Sequence, residues 1–469
     1  MSQLNFYTDI DLQQIDDNLD NIETYALKIK YQTLDPNNDE YAKVKNIIIE
    51  FIKEQKRIVY GGSAYHAIIQ HYRLDKDSDK RIYPDWERYD IEFYSPRPIR
   101  DLVMICNRIS YTGIKYVIGR QAQHDETFTV FANFLQYCDM SYMPDNIFNK
   151  IKYIEIDGLR YIHPEYILID IFRMYNDPIT SAWRFSKVFK RMKLLMKHFP
   201  FDFVEAKPIS FLQEKQEKEN NTIIEYIVPK LINEFNDIVF TGQLPYLIYT
   251  NPNKSIESNQ FHQIEIITDD LNNVSKFIID LTYKWMSNNK KNEFHKYDEY
   301  FKTVKYTRFF QYWDNRTIIY YQDKPIFTVL GNANRCVPVI DSKIKLNNTE
   351  LPIKIGSFLV IFNYFFVGYH YEQINNMGFY FSDRNFINSL LTSRNNYLKA
   401  NNKTVLDKTL YQEFILSCKG KTTEFTREYL LRMAEKRARG EKILMSYDPI
   451  IARGTFIEHE FEQADGLVE

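Results

Sequence analysis

The sequence has little glycine and cysteine, no long apolar run and almost no net charge. Its most apolar stretch, residues 358–369, is interrupted by Asn363. It is also shorter than the roughly 20 residues that a bilayer crossing needs, so we expect a core helix there. Residues 1–20 are acidic and lack the apolar segment of a secretion signal, which predicts a chain that begins near Met1 and stays inside a cell. These absences argue against a membrane protein and against a secreted one.

Charge and cysteine content limit the kinds of binding site that the sequence predicts. Lysine and arginine number 60, and aspartate and glutamate 62, which gives a net charge of −2. The surface as a whole therefore does not attract nucleic acid, and a polyanion must bind a local patch. The four cysteines (Cys106, Cys138, Cys336 and Cys418) are far apart and form no C-x-x-C pair, which argues against a zinc site. We expect free thiols in a reducing compartment.

Aromatic residues, in contrast, are abundant. Tyrosine, phenylalanine and tryptophan make up 16% of the 469 residues. Aromatic rings can stack on nucleic-acid bases, but an AT-rich genome raises phenylalanine, tyrosine, isoleucine, asparagine and lysine together, and we favour that explanation. With 44% hydrophobic and 26% charged residues, the chain has an ordinary globular composition, and its length predicts about three domains.

The order of periodic segments predicts how the chain is divided. Residues 9–56 show helical periodicity, with a turn at 34–38, and predict two packing helices. The following segments predict strands at 57–60, 89–94, 115–118, 127–131 and 134–140, and helices at 64–71, 99–109, 164–175 and 180–198. A polar stretch at 213–221, rich in lysine and glutamate, is typical of a linker. From residue 353 onward the pattern is mainly helical.

The second half of the sequence repeats the first in outline. Residues 58–63 align with 238–243, and residues 90–93 align with 263–266. In this alignment Thr241 and Gln243 replace Gly61 and Ser63, and Gln263 replaces Asp90. Two matching blocks in the same order predict a duplicated fold whose second copy is degenerate; the alternative is chance similarity between β-strands.

The turn at Gly61, Gly62 and Ser63 is the first candidate binding element. Glycine lets a backbone approach a ligand closely, and the start of a helix presents unpaired N–H groups to phosphate oxygens. The Ser63 hydroxyl adds another donor. Taken alone, this triplet is most often an ordinary loop.

Asp90 and Glu92 are the second candidate element. At positions i and i+2 of a strand, both side chains point to one face. Two neighbouring carboxylates repel each other unless a cation lies between them, and Mg²⁺ takes oxygen ligands of this kind. The alternative is the polar face of a half-buried strand. Asp139, in a later β-prone run, is the third candidate, and by itself it is typical of a strand end.

Taken in order, these residues resemble the pattern of the polymerase-β-type nucleotidyltransferases. That pattern is a glycine turn opening a helix, an acidic pair on the next strand and a third acid on a later strand. Glu92 departs from the aspartate that is common at the second position, and the segment at 74–86 is a longer connection than usual. The layout further resembles the poly(A) polymerases of poxviruses and giant viruses.

The resemblance implies a fold and a domain order. We expect an α+β (mixed α/β) chain with an N-terminal helical region at 1–56, a catalytic nucleotidyltransferase domain at 57–200 and a linker at 201–221. A degenerate nucleotidyltransferase-like domain with added helices is expected at 222–469.

The resemblance also implies roles for residues. Asp90, Glu92 and Asp139 would be catalytic and would bind two divalent ions, Mg²⁺ or Mn²⁺. Gly61, Gly62 and Ser63 would bind the nucleotide phosphates. Lys187 and Lys190, on a predicted basic helix, would bind the triphosphate or RNA, although a solvated helix face explains them equally well.

The function that follows is the transfer of AMP from ATP to an RNA 3′ end. Two alternatives remain open: a nucleotidyltransferase with another acceptor, such as a tRNA terminus or a small molecule, and a non-catalytic RNA-binding or scaffold subunit. The resemblance further implies the host cytoplasm, the viral factory and the virion as locations. It allows a homodimer through the C-terminal half or a separate processivity subunit.

Overall fold

The computed structural model describes residues 6–33, 38–72, 83, 87–122, 126–201, 204–207, 209–211, 218–332, 335–420 and 446–450. The chain divides into two compact units. The first takes its residues from 1–143, 152–163 and 436–459, and the second from 144–151, 164–435 and 460–469. The predicted helices at 164–175 and 180–198 thus fall in the second unit, and the domain boundaries that we placed at 57, 200 and 222 stay predictions.

The first unit contains four helices and eight strands within its described residues. The helices are α1 (Asp9–Thr33), α2 (Asn38–Glu54), α3 (Gly61–His71) and α4 (Pro98–Tyr111). The strands are β1 (Ile58–Tyr60), β2 (Ile91–Ser95), β3 (Ile118–Gln121), β4 (Thr127–Ala132), β5 (Leu135–Tyr142), β6 (Tyr153–Ile156), β7 (Leu159–Ile162) and β16 (Ser446–Tyr447). The hairpin of β6 and β7 was not predicted.

The two N-terminal helices differ in how they pack. Helix α2 buries Val44, Ile48, Phe51 and Ile52, as its periodicity predicts. Helix α1 buries none of its described residues, and Ile22 is 48% exposed. The prediction that both helices pack is therefore wrong for α1, because periodicity shows that a helix has an apolar face but not what covers that face.

The strands of the first unit form one mixed sheet in the order β16-β3-β4-β5-β2-β1-β7-β6. Strand β1 is antiparallel to β2 and parallel to β7, and β2 is parallel to β5. A buried ion pair fixes the start of β1 to α4, because Arg57 Nε and Asp101 Oδ2 are 2.6 Å apart. The Ser95 hydroxyl at the end of β2 also donates to Asp101, at 2.5 Å. The charged pair thereby anchors the two central strands that carry the candidate site.

The second unit contains ten helices and eight strands within its described residues. The helices are α5 (Asp145–Phe148), α6 (Pro164–Tyr175), α7 (Pro178–Ser181), α8 (Phe185–His198), α9 (Lys218–Glu234), α10 (Gln243–Thr250), α11 (Leu271–Asn289), α12 (Tyr297–Tyr300), α13 (Phe358–Asn375) and α14 (Asn385–Ala400). The strands are β8 (Val239–Thr241), β9 (Ile264–Thr268), β10 (Phe301–Tyr306), β11 (Arg316–Tyr321), β12 (Lys324–Gly331), β13 (Val337–Leu346), β14 (Thr349–Gly356) and β15 (Cys418–Lys419).

The second sheet repeats the first. Its order is β10-β11-β12-β9-β8-β14-β13-β15. Seven strands correspond one to one, from β3 with β10 across to β6 with β13, and each neighbouring pair has the same parallel or antiparallel sense. Chance similarity of short strands does not produce one connection order across seven strands, so the duplicated fold and the α+β class are confirmed.

Helix α13 forms the centre of the second unit. It covers the apolar stretch at 358–369 and buries residues on all sides, among them Phe362, Phe366 and Val367. A helix that is apolar all round is buried in a core, as predicted. No helix in the described part of the chain is long and apolar enough to cross a membrane.

The cysteine prediction is wrong for two of the four residues. Cys336 and Cys418 form a disulfide, with their Cα atoms 5.3 Å apart. They lie 82 residues apart in sequence, but β13 and β15 are paired and bring them together. Cys106 and Cys138 are free and buried. The segment at 74–86, apart from Tyr83, lies outside the described residues. A basic run in the sequence at 427–442, which is typical of an exposed helix, lies outside them as well.

Candidate active site

The glycine turn joins β1 to α3 and contacts the acidic strand. Strand β1 ends at Tyr60 and α3 begins at Gly61, whose φ of +66° is unfavourable for any residue with a Cβ atom. A Cβ at Gly61 would also overlap the Glu92 carboxylate. The Gly62 N–H donates to Glu92 Oε2 at 2.9 Å. The turn and β2 are therefore fixed to each other through one carboxylate.

Ser63 is buried within this turn. Its hydroxyl donates to the Tyr60 carbonyl at 3.2 Å, and the Glu92 N–H approaches Ser63 Oγ at 3.4 Å. The hydroxyl proton thus has a backbone partner in this structure. A contact with a phosphate would require the hydroxyl to rotate away from Tyr60, so the phosphate-binding role of Ser63 stays a prediction.

The three predicted acids lie on or directly before two neighbouring strands. Glu92 of β2 is paired directly with Asp139 of β5, and Asp90 lies two residues before Glu92. Side chains alternate along a strand and paired residues face the same way, so the three carboxylates share one face of the sheet. The catalytic and metal-binding roles of these three residues stay predictions, and the sequence could not show which strands are neighbours.

The surroundings of Asp139 shift the pKa of its carboxyl group. The Thr129 hydroxyl donates to Asp139 Oδ1 at 2.6 Å from the adjacent strand β4. The pKa of Asp139 is raised to about 6, because burial and the nearby Asp90 charge outweigh the lowering effect of hydrogen bonds from Thr129 and Gln136. A carboxyl group held this way binds a proton readily in the absence of a cation.

Two polar side chains of the site were missed from the sequence. Thr129 and Gln136 both contact the acids, and the Gln136 amide donates to Asp90 Oδ2 at 3.2 Å. Neither belongs to a recognisable motif. Thr129 could have been found only by knowing that β4 pairs with β5.

Lys187 and Lys190 lie on a helix of the second unit. Both are exposed on α8, which belongs to the second unit and buries Val188 and Leu195. Their exposure fits a basic helix face. Their assignment to the triphosphate or RNA stays a prediction.

Carboxylates are suitable ligands for a hard divalent cation. In this structure, however, the acids accept hydrogen bonds from other groups of the protein. No three aspartate, glutamate, histidine or cysteine side chains among the described residues stand together as a ready metal site. Glu92 is bound to the Gly62 N–H, and Asp90 is bound to Gln136. Each carboxylate has two oxygens and can accept more than one partner, so Asp90, Glu92 and Asp139 fit a cation in donor type.

The second unit contains the same site in a degenerate form. Gly242 has the same φ of +66° as Gly61, and the N–H of Gln243 donates to Glu265 Oε2 at 2.6 Å. The structural partner of Gly61 is thus Gly242, one residue later than our sequence alignment placed it. The equivalents of Glu92 and Asp90, at Glu265 and Gln263, were aligned correctly.

The degenerate site has lost two of its three acids. Glu265 is paired with Thr328, which therefore occupies the place of Asp139. The Gln263 amide donates to Thr328 Oγ1 at 2.5 Å. A neutral amide and a hydroxyl have replaced two carboxylates, and they satisfy each other without a cation.

Aromatic side chains close the degenerate site. Glu265 is 2% exposed and accepts hydrogen bonds from the hydroxyls of Tyr364 and Tyr380, at 2.9 and 2.8 Å. Burial raises the pKa of Glu265 to about 7. The retained glutamate is therefore part of a packed core.

A glycine turn opening a helix beside acidic residues of two paired strands is a pattern that resembles the nucleotidyltransferases, and comparison with known proteins agrees on that class. The family described as "Poly(A) polymerase catalytic subunit" matches residues 46–181. The family described as "APMV, Putative poly(A) polymerase, catalytic subunit, C-terminal" matches residues 214–464. The chain belongs to the family of viral poly(A) polymerase catalytic subunits and is a nucleotidyltransferase enzyme, as the sequence predicted.

Individual relatives support this assignment. The "Putative poly(A) polymerase catalytic subunit" of Acanthamoeba polyphaga mimivirus is 31% identical over 464 residues, which cover 95% of this chain and 78% of the relative. The protein of the same name from African swine fever virus (strain Badajoz 1971 Vero-adapted) is 32% identical over 195 residues, or 40% of this chain and 39% of the relative. The crystal structure of the Megavirus polyadenylate synthase is similar with a TM-score of 0.82 and 28% identity, covering 96% of this chain and 87% of that one.

Proposed function

We propose that the first unit transfers AMP from ATP to the 3′-hydroxyl of RNA at the cluster of Asp90, Glu92 and Asp139. The observation that carries this proposal is the direct pairing of Glu92 with Asp139 on neighbouring strands, beside the glycine turn. The inactive copy supports it, because the same strand positions there hold Gln263 and Thr328. In this proposal the second unit performs no catalysis, and it has no acid at the positions equivalent to Asp90 and Asp139.

The acids would bind two divalent ions, Mg²⁺ or Mn²⁺. Such ions lower the pKa of an attacking hydroxyl and stabilise the charge that develops on phosphate oxygens. In this chain, Asp90 and Glu92 would bind both ions, and Asp139 would bind one of them. Glu92 would keep or exchange its bond to Gly62, because a carboxylate has two oxygens.

The glycine turn would bind the triphosphate. The start of α3 presents backbone N–H groups and the positive end of a helix dipole, which favour phosphate oxygens. Gly61 allows close approach because it has no side chain. Ser63 would add a hydroxyl contact, and Lys187 and Lys190 would neutralise phosphate charge on ATP or RNA.

The setting in which the enzyme works also belongs to this proposal. We place it in the cytoplasm of the infected cell, in the viral factory and in the virion, where RNA 3′ ends are available. A homodimer through the C-terminal half and a separate processivity subunit are two arrangements that light scattering with and without RNA distinguishes. Incorporation assays with RNA, tRNA and small-molecule acceptors test the choice of acceptor.

The central test is one assay of AMP addition. Purified protein is incubated with labelled ATP, an RNA primer and Mg²⁺ or Mn²⁺, with and without excess chelator. We expect chelator to abolish activity, and Asp90→Asn to lower the rate roughly a hundredfold, because a lost ligand removes several kcal/mol of charge stabilisation.

A charge-matched control accompanies this assay. Asp157 is exposed in the turn between β6 and β7 and has a φ of +51°, a conformation that asparagine also tolerates. Asp157→Asn should keep the wild-type rate. Full activity in chelator, or in Asp90→Asn, would disprove the assignment of the site.

A further inference from the structure

Gln136 reaches the acidic cluster through an irregularity in strand β5. It lies three residues before Asp139, and in a regular strand two such residues point to opposite faces. The pairing with β4 changes register at this point, since Val130 faces Cys138 but Phe131 faces Gln136. Tyr137 is left as the extra residue of a β-bulge, and a bulge of this kind redirects the neighbouring side chains.

The redirected amide lies beside two of the three acids. Gln136 Nε2 donates to Asp90 Oδ2 at 3.2 Å, and the same side chain lies close enough to Asp139 to lower the pKa of that carboxyl group. A primary amide carries two N–H donors, so one group can serve both carboxylates. Gln136 thereby links the acid that precedes β2 to the acid on β5.

Comparison with the second unit shows that the bulge also occurs without the amide. Strands β11 and β12 show the same change of register, because Ile319 faces Phe327 but Tyr320 faces Pro325. The position equivalent to Gln136 is therefore Pro325, which has no side-chain donor. The bulge persists in a copy whose acids have been replaced, so the fold alone accounts for the bulge but not for the amide.

We propose that Gln136 is a positioning residue that holds the Asp90 and Asp139 carboxylates in the arrangement that a divalent cation binds. The proposal rests on the proposed function, because it takes these two acids as ligands. The amide donates to Asp90 and lies beside Asp139, and each carboxylate can accept a further partner such as a cation. Without it, the two like charges repel and the side chains adopt other orientations.

A binding measurement without nucleotide tests this role directly. Mn²⁺ affinity is measured by electron paramagnetic resonance for the wild type, Gln136→Met and Asp90→Asn. Methionine has the length of glutamine but no N–H donor, and Gln136→Leu serves as a second variant if Gln136→Met does not fold. Hydrogen-bond partners of metal ligands typically change metal affinity by 10- to 100-fold, so we expect the dissociation constant of Gln136→Met to rise by about tenfold.

The chain offers a matched control in Gln263→Met. Gln263 is also an amide, and it donates to Thr328, the strand equivalent of Asp139, in the degenerate site. This variant should bind Mn²⁺ as the wild type does. In steady-state assays, Gln136→Met should lower kcat by about tenfold with KM for ATP within about twofold, and higher Mn²⁺ should restore part of the rate, because the defect lies in the metal site.

The outcomes separate this inference from the proposed function. If the wild type binds no Mn²⁺, or Asp90→Asn binds it equally well, the proposed metal site is wrong. If Asp90→Asn loses binding but Gln136→Met matches the wild type, only the role of Gln136 is wrong. Tighter binding by Gln136→Met would also overturn that role, because it would mean that the amide competes with the cation.

Discussion

Asp139 can make cation binding at the candidate site depend on pH. Its carboxyl group is held away from water between β2 and β4, beside Asp90. The fold therefore favours the protonated form of Asp139, whereas a divalent cation requires the carboxylate. Protons and metal ions compete for this residue.

This competition predicts a pH dependence of stability in the metal-free protein. The pKa of Asp139 is about 6 in the folded protein against 3.8 for an ordinary aspartate. Because the folded-state pKa is raised, its stabilising effect is full below pH 4 and is lost as pH rises through about 6, by up to about 3 kcal/mol. The asparagine side chain in Asp139→Asn does not titrate, so in chelator the wild type should lose several degrees of Tm relative to this variant between pH 4.5 and 7.5.

Thermal melts at both pH values measure this difference, and Asp157→Asn serves as the control. Mg²⁺ at pH 7.5 should raise the Tm of the wild type and leave Asp139→Asn almost unchanged. Parallel pH profiles for the wild type and Asp139→Asn would contradict the raised pKa.

At the scale of elements, the strand-turn-helix unit occurs twice with the same constraint. Gly61 and Gly242 both have a φ of +66°, and a Cβ at either position would overlap the carboxylate of Glu92 or Glu265. The N–H of the residue after the glycine then donates to that carboxylate in both units. The glutamate and glycine are therefore retained together, because each fixes the conformation of the other.

A pair of identical substitutions separates folding from catalysis. Gly61→Ala and Gly242→Ala should each lower Tm by several degrees, because both place a Cβ in a left-handed conformation against a carboxylate. AMP addition per folded molecule should fall at least tenfold in Gly61→Ala, since the displaced Glu92 is a proposed ligand. It should stay within about twofold of the wild type in Gly242→Ala. Circular dichroism gives the folded fraction, and equal loss of activity in both variants would place part of the chemistry in the second unit.

The elements also show what could be read from the sequence. The strand-turn-helix unit was predictable, and the acids at 90, 92 and 139 could be proposed as a site, because glycine, carboxylate and alternation have direct physical meanings. The role of Gln136 was not, since a bulge depends on pairing with another strand. The disulfide between Cys336 and Cys418 and the exposure of α1 were missed for the same reason: both depend on which distant segments meet.

At the scale of the whole molecule, one topology supports an acidic cluster in the first unit and a packed, degenerate site in the second. The shared strand order places Glu92 and Glu265 at equivalent positions. In the first unit the surrounding positions carry Asp90, Asp139 and Gln136. In the second unit they carry Gln263, Thr328 and Pro325, and tyrosine hydroxyls bind the remaining carboxyl. The proposed catalytic positions of the first unit thus correspond to packing positions in the second.

The last prediction compares the two glutamate-containing sites. Glu265 is buried and accepts hydrogen bonds from three donors, so Glu265→Gln is not a surface change. An amide would turn an N–H group toward one of these donors, so Tm should fall by a few degrees. The rate of single-turnover AMP addition should nevertheless stay within about twofold of the wild type, because the variant leaves the first unit unchanged. Asp90→Asn, measured beside it, should lose about a hundredfold. A loss of the same size in Glu265→Gln, from protein that still melts cooperatively, would show that the second unit takes part in the chemistry.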